Sequence, residues 1–490
     1  MLFNSWIFVG FCLLTTLIYY LLPYLKLGAN AQVGLLLLAS LYFYSYEKPA
    51  LVLLLLLSII VNYLISRRIV LLMPSMKVRW LVIWAVTFNI LVIAFFKYAG
   101  LIIDTLVPDS ALDTWLFETI SSIPLPIGIS FYTFQAISLI IDLTRKDKLN
   151  SKMEKLELDF NEGKNVTSFL NIAFYIAFFP QLIAGPIVKA HEFIEQIAVK
   201  RASAINWNVV TRSLVTGYFL KMVIADNLKE TTVLINSSAV NGMTKIDLLS
   251  LFYGYSCQIF ADFAGYSLIA IGLGALLGYR LPVNFNFPYI SGSITEFWKR
   301  WHISLSSWLR EYLYIPLGGN RKGALRTYVN LMVVMLLGGL WHGAAWSYMV
   351  WGGAHGILLS LERMFGTWFL KWKFLEFRIF RIAKIVYIFH IVSILWLLFV
   401  MPDFYKVIEY FEAFSVAAWA VGSPRLTFVV AIYALPIVAY HIYAYWRETA
   451  ASDGDMRIAR KYVEPFVFGT MLFLIVVNSG TPGKFIYFQF

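Results

Sequence analysis

The chain has 490 residues, 60% of them hydrophobic and only 14% charged, with 40 Phe, 29 Tyr and 16 Trp. A water-soluble domain has too little interior to hide that much apolar surface, which excludes a soluble globular enzyme or binding module. The formal charge of +12 would suit a nucleic-acid binder, but the basic residues gather in alternate stretches between apolar blocks, the pattern of membrane topology.

The apolar blocks are long enough to cross about 30 Å of hydrocarbon, where the backbone must satisfy its own hydrogen bonds, so they predict helices. Alternating strand patterning is absent, which argues against a barrel. The N-terminal residues carry no basic region and no Ala-x-Ala site, so they read as a first span rather than a cleaved signal. Further spans are expected near 31–46, 50–66, 80–99, 124–141, 207–224, 248–277, 326–341, 346–362, 384–400, 425–445 and 464–480. Two stretches do not fit a simple span. Residues 168–186 are apolar but contain Pro180, a broken element tolerated only inside protein or against a cavity. Thr295–Leu309 is too charged to span and too aromatic to sit in water, and reads as an amphipathic or re-entrant helix at the cytoplasmic face.

The basic stretches at 67–79, 142–167, 280–325, 363–384 and 446–461 are expected in the cytoplasm beside anionic lipid headgroups, with both termini outside. Lys146, Arg300 and Lys373 would then face inward, and Asp109 and Glu409 outward. No internal repeat or polar linker divides the chain, so residues 1–490 read as one membrane-embedded domain, an all-α polytopic protein of about 11–13 spans. The outer loops this placement gives are short, with no sizeable outer domain expected.

Ionisable groups at lipid depth are expensive and usually functional. His342, in Leu-Trp-His342-Gly, ends one apolar block just before another, with Gly338, Gly339 and Gly343 around it. Neutral imidazole is a suitable base near pH 7, and burial favours that form. A histidine hydrogen-bonded between helices for packing reads equally well from the residues. Trp298, His302 and Ser306 fall four apart, so on a continuous helix they share one face. His302 is there either a substrate-orienting residue or an interfacial histidine among tryptophans. Asp262 must be paired, hydrated or protonated, lining a cavity or tying helices through an Arg or a backbone turn. Gln135 invites the same two readings. His355 lies thirteen residues beyond His342 and reads as structural, as do His191, His390 and His441. Cys12 and Cys257 lie in apolar segments and support neither a disulfide nor a metal site. Metal-ligand spacing, a Gly-x-Ser-x-Gly elbow and a nucleotide-binding glycine loop are all missing.

A set of ordered motifs carries a resemblance. They are Phe95-Phe-Lys-Tyr98, the stretch Leu125–Gln135, Phe179-Pro-Gln-Leu182 with the Ile-Ala-Gly-Pro that follows, Asp262-Phe-Ala-Gly-Tyr-Ser267 and Asn284-Phe-Asn-Phe-Pro288. They continue through Phe297–Arg310, Tyr314-Ile-Pro-Leu-Gly-Gly319, Gly339-Leu-Trp-His-Gly343, Trp351-Gly-Gly-Ala-His-Gly356 and the ending Phe485–Phe490. The chain resembles the membrane-bound O-acyltransferases, and within them the bacterial alginate O-acetyltransferase type. The resemblance implies a ring of helices around a central tunnel, where a cytoplasmic thioester donor and an outside hydroxyl meet. It implies catalysis by His342 and His302, with Asp262, Gln135, Asn286, Trp298, Arg300 and Trp341 as tunnel candidates. It implies acetyl-CoA or another acyl thioester as donor, no permanently bound cofactor and no metal. Polysaccharide, or an outer-face or periplasmic acyltransferase, would be the acceptor partner, and the cell inner membrane the location. Peptidoglycan, cellulose or teichoic acid are alternative acceptors, the last with D-alanyl groups. A transporter with Asp262 and His342 in a pore is the competing class, but the internal repeat of many transporters is missing.

Overall fold

The computed structural model describes residues 1–106, 125–145, 150–183, 185–369, 377–449, 459–481 and 483. The expectations at Asp109, Lys146, Lys373 and the ending Phe485–Phe490 lie outside these residues. Every regular element among the described residues is a helix. Six are long and apolar enough to cross a membrane: Leu51–Leu72, Lys77–Ile103, Lys245–Leu276, Ala324–His342, Arg378–Val400 and Pro424–Thr449. The protein is thus an all-α polytopic membrane protein. Of the other expected spans, those at the N-terminus and at 124–141 are the shorter apolar helices Trp6–Leu21 and Ile129–Asp142, and 346–362 lies on one continuous 24-residue helix, Trp346–Phe369.

The chain divides into two compact units, residues 1–214 with 269–282, and residues 215–268 with 283–490. The first unit holds α1 (Trp6–Leu21), α2 (Ala29–Ser45), α3 (Leu51–Leu72), α4 (Lys77–Leu106), α5 (Ile129–Asp142), α6 (Asn150–Asn161) and α7 (Asn165–Ala177). Two buried asparagines pair inside it. The Asn89 amide donates to Asn62 Oδ1 at 2.9 Å and joins α4 to α3, a hydrogen bond of the kind that fixes helix pairs where apolar contact has little specificity. The element around Pro180 is broken as expected: α7 stops at Ala177, and a one-turn helix, Phe179–Leu182, follows. Its first backbone N–H is taken by Ser40 Oγ at 3.1 Å. Gly128 starts α5 with φ +77°, and a Cβ there would run into the Leu182 carbonyl. Only glycine meets both conditions. Helix α6 was not expected; its buried Met153, Leu156 and Phe160 mark one apolar face in an otherwise charged stretch.

The second unit holds the site. The expected span 207–224 is not one straight helix: α8 (Trp207–Tyr218), which begins in the first unit, runs into a π-helical turn at Phe219–Ala225 and then α9 (Asp226–Thr232). Helix α10 (Lys245–Leu276) contributes its residues up to Leu268 to this unit. Thr295–Leu309 is two short helices, α11 (Ile294–Arg300) and α12 (Ile303–Leu309). Helices α13 (Ala324–His342) and α14 (Trp346–Phe369) form a tight hairpin. Then come α15 (Arg378–Val400), α16 (Phe404–Val416), α17 (Pro424–Thr449) and α18 (Glu464–Val477). The stretch 401–424, expected as a loop, carries α16: Asp403 caps it by accepting from the Tyr405 N–H, and Val407, Tyr410 and Ala413 turn inward at helical spacing.

Candidate active site

The hairpin of α13 and α14 sets the position of His342. Gly339 and Gly352 face each other across it, and a Cβ on either would meet the other's backbone. Two glycines let the helix backbones approach as no larger pair could. This close approach lays Trp351 against His342, the ring centroids 5.2 Å apart and nearly perpendicular. Phe399 of α15 closes a second side at 5.2 Å, and Trp341 a third at 5.1 Å. The histidine is 3% exposed.

His302 comes from the junction of α11 and α12. It takes the left-handed conformation, φ 42° and ψ 53°, one of three such non-glycine residues among those described. That break corrects the expectation of one shared helical face for Trp298, His302 and Ser306. A continuous helix would need right-handed dihedrals at His302, and the reversal there redirects the chain. As a result the fully buried His302 ring lies 6.2 Å, centroid to centroid, from that of His342. Trp341 packs at 5.8 Å from it and Phe263 of α10 at 4.6 Å, edge to face. Burial pushes the His302 imidazole down to about 3, so it stays neutral in the ordinary pH range.

Trp298 turns elsewhere. Its indole N–H donates to His355 Nδ1 at 3.3 Å, and Trp351 packs against His355 at 4.9 Å. Trp351 therefore touches both His342 and His355, which the hairpin turn brings together although they are thirteen residues apart in sequence. A cavity of about 270 Å³ opens against His342, its wall including Trp298, Ser306, Leu309, Met335 and Gly338. It is mainly apolar.

The other sequence candidates scatter. Asp262 is tied to Lys221 Nζ at 2.7 Å, and the same ammonium reaches Asp226 at 2.7 Å, all three side chains buried. The partner is a lysine from the π-helical turn, neither an arginine nor a backbone turn. Arg300 forms a two-pronged ion pair with Glu448, at 3.0 and 2.9 Å, and also bonds Glu296. Asn286 is exposed, and its backbone N–H donates to the Arg300 carbonyl. Gln135 is buried on α5 in the first unit, where its carbonyl accepts from Ser138 and Tyr175. Trp341 alone among the tunnel candidates touches both histidines. Trp351, Phe399 and Phe263 were not singled out from sequence; in a chain so rich in aromatics, nothing distinguishes ring neighbours until the hairpin is formed. Of the remaining histidines, His390 and His441 bond backbone carbonyls four residues back in their own helices. Among the described residues no group of His, Cys, Asp or Glu could hold a metal ion.

These features define a polytopic helical membrane protein with two buried, ring-walled histidines, one of them on an apolar cavity. The chain belongs to the MBOAT, membrane-bound O-acyltransferase family, whose pattern matches residues 77–402. It is 40% identical over 290 residues to a Pseudomonas putida protein described as a probable alginate O-acetylase AlgI, covering 59% of this chain and 56% of that protein. An Azotobacter vinelandii protein of the same description is 38% identical over 74% of this chain and 69% of its own length. A Helicobacter pylori peptidoglycan O-acetyltransferase is 37% identical, over 67% of this chain and 64% of its own length. The first of these matches thus takes in less than two thirds of the relative's length.

Proposed function

We propose that this protein is an O-acyltransferase of the cytoplasmic membrane that moves an acetyl group from a cytoplasmic thioester, such as acetyl-CoA, to hydroxyls of an extracytoplasmic polysaccharide, alginate first among candidates. The observation that carries the reading is the pair of buried imidazoles 6.2 Å apart, one of them on an apolar cavity. His342 takes the hydroxyl proton as the oxygen attacks the thioester carbonyl, a general-base step worth typically about 10²–10⁴-fold. The tetrahedral intermediate collapses, the C–S bond breaks, and the leaving thiolate receives the proton from the His342 imidazolium. His302, neutral, orients the acceptor or donates to the developing oxyanion. Trp341 and Trp298 shape the passage, and Asp262, Asn286, Arg300 and Gln135 support the surrounding structure.

The alginate acceptor is favoured by the relatives described as alginate O-acetylases, while the peptidoglycan relative keeps peptidoglycan as the second reading. We further propose a separate outer-face acyltransferase that receives the group, since the expected outer loops are short.

The test is acetyl transfer by the purified, reconstituted protein, using labelled acetyl-CoA with alginate, peptidoglycan fragments and water as acceptors, with and without the outer-face partner. Transfer to alginate in the presence of the partner is expected. Release of CoA with peptidoglycan alone would move the acceptor assignment, full alginate acetylation without partner would remove the partner, and solute movement without donor consumption would sink the enzyme reading.

A further inference from the structure

We infer that Asn284 is a positioning residue that holds His302 in the left-handed turn presenting its ring to His342; this rests on the catalytic role proposed for His302. A left-handed non-glycine residue persists only where its surroundings over-determine it, and such residues cluster at functional sites. Here the surroundings can be named. Residues 284–286 run alongside 300–303, with the Ile303 N–H donating to the Asn284 carbonyl at 3.0 Å and the Asn286 N–H to the Arg300 carbonyl at 2.9 Å. Trp301 and His302 lie between those two bonds.

The Asn284 side chain completes the strap. Its Oδ1 accepts from Ser304 Oγ at 2.6 Å and from the Ser304 N–H at 3.3 Å, so it caps the start of α12 in place of a local side chain. Its Nδ2 donates to Ser267 Oγ at 2.9 Å, anchoring the turn to α10. Asn284, Ser267 and Ser304 are at most 2% exposed. Four residues before Ser267, on the same face of α10, stands Phe263, the ring that packs edge-on against His302. One helix face therefore fixes both the backbone and the ring of His302. Asparagine suits the position because it is uncharged while offering both an acceptor and a donor. Alanine would release all three bonds.

The experiment is a double-mutant cycle on turnover per folded molecule in the full-length, reconstituted protein, with acetyl-CoA as donor. Asn284→Ala is expected to lower kcat on the order of 10²-fold, because small misplacements of a reacting group are costly. KM for the donor should stay within about threefold, since Asn284 itself does not line the cavity. The double variant Asn284→Ala with His302→Ala should be no slower than His302→Ala, within about threefold, because a strap with nothing to hold contributes nothing further. Ser304→Ala, which removes one bond and leaves the backbone, should give a smaller loss of about tenfold and carries the test if Asn284→Ala does not fold. Wild-type kcat in Asn284→Ala or in Ser304→Ala, or a full additional loss in the double variant, would overturn the inference while leaving the function standing. A fully active His302→Ala would instead remove the role on which it rests, and the inference with it.

Discussion

Each unit buries a histidine in a different setting. His191, in the first unit, gives its Nδ1 to Asp142 at 2.8 Å, and its backbone N–H reaches the same carboxylate oxygen at 3.3 Å. Arg145 bonds the other oxygen at 3.5 Å, so a charged group on α5 fixes the short helix Ala190–Phe193 that carries the histidine. His342, in the second unit, is set against the rings of Trp341, Trp351, Phe399 and His302, with a cavity at its side. Both are nearly buried, so burial alone does not mark chemistry. What differs is the environment: a carboxylate holds one ring, and the other stands among ring faces beside an apolar cavity.

Substitution should separate the two. His342→Ala is expected to lower acyl transfer by at least about 10²-fold with folded protein recovered at near-normal yield, because proton abstraction is lost while the Gly339–Gly352 contact still sets the hairpin. His191→Ala should do the reverse, lowering stability by about 1–3 kcal/mol through the exposed need of Asp142 while leaving turnover per folded molecule within a few-fold. Rates with reconstituted protein and detergent melting curves would read both. Equal activity losses in the two variants would erase the distinction.

The second unit has its own charged anchor, which sharpens the contrast. Lys221→Met would leave Asp226 and Asp262 buried without their shared cation, and breaking a buried pair in this way costs about 3–5 kcal/mol. Poor expression or a melting point lowered by many degrees is expected, with Lys221→Met/Asp262→Asn/Asp226→Asn partly restored. An unaffected melting point in Lys221→Met would mean that the three groups are better hydrated than their burial implies.

How much of this could be read from residue order depends on whether a feature is local. The broken element at Pro180 and the place of His342 at the junction of two helices were legible, because a proline in an apolar run and a histidine between two apolar blocks are local signals. The one-face reading of Trp298, His302 and Ser306 failed, because helical spacing cannot reveal a residue that leaves the helical conformation. Helix α16 was missed although Val407, Tyr410 and Ala413 have helical spacing, since acidic residues between them favoured a loop reading. The partner of Asp262 was beyond reach: Lys221 is 41 residues away, and no local pattern pairs two residues across helices.

His355 tests whether ring contact is enough to make a histidine catalytic. It touches Trp351, as His342 does, but its Nδ1 accepts the Trp298 N–H. His355→Ala should reduce transfer less than about tenfold, acting through a loosened Trp298 on the cavity wall. Donor KM should move more than kcat. A loss as large as that of His342→Ala would make His355 a third member of the centre.

A dependence of stability on pH is also expected, and burial of His302 contributes to it. Burial holds its imidazole at about 3 in the folded protein, against an ordinary value of 6.5. Between these values the unfolded chain binds a proton that the folded chain does not. Stability from this group is therefore complete above about pH 6.5 and is lost as pH falls from there toward 3, by up to about 1.4 kcal/mol per pH unit. His302→Asn removes the titration while keeping a residue that tolerates left-handed backbone. Melting points in detergent between pH 7.5 and 5, taken for both proteins at constant ionic strength, should fall more steeply for the wild type. Parallel slopes would show that the folded protein admits a proton to His302, and with it that the ring is reached by water along a path that the tight packing of Phe263 and Trp341 does not close.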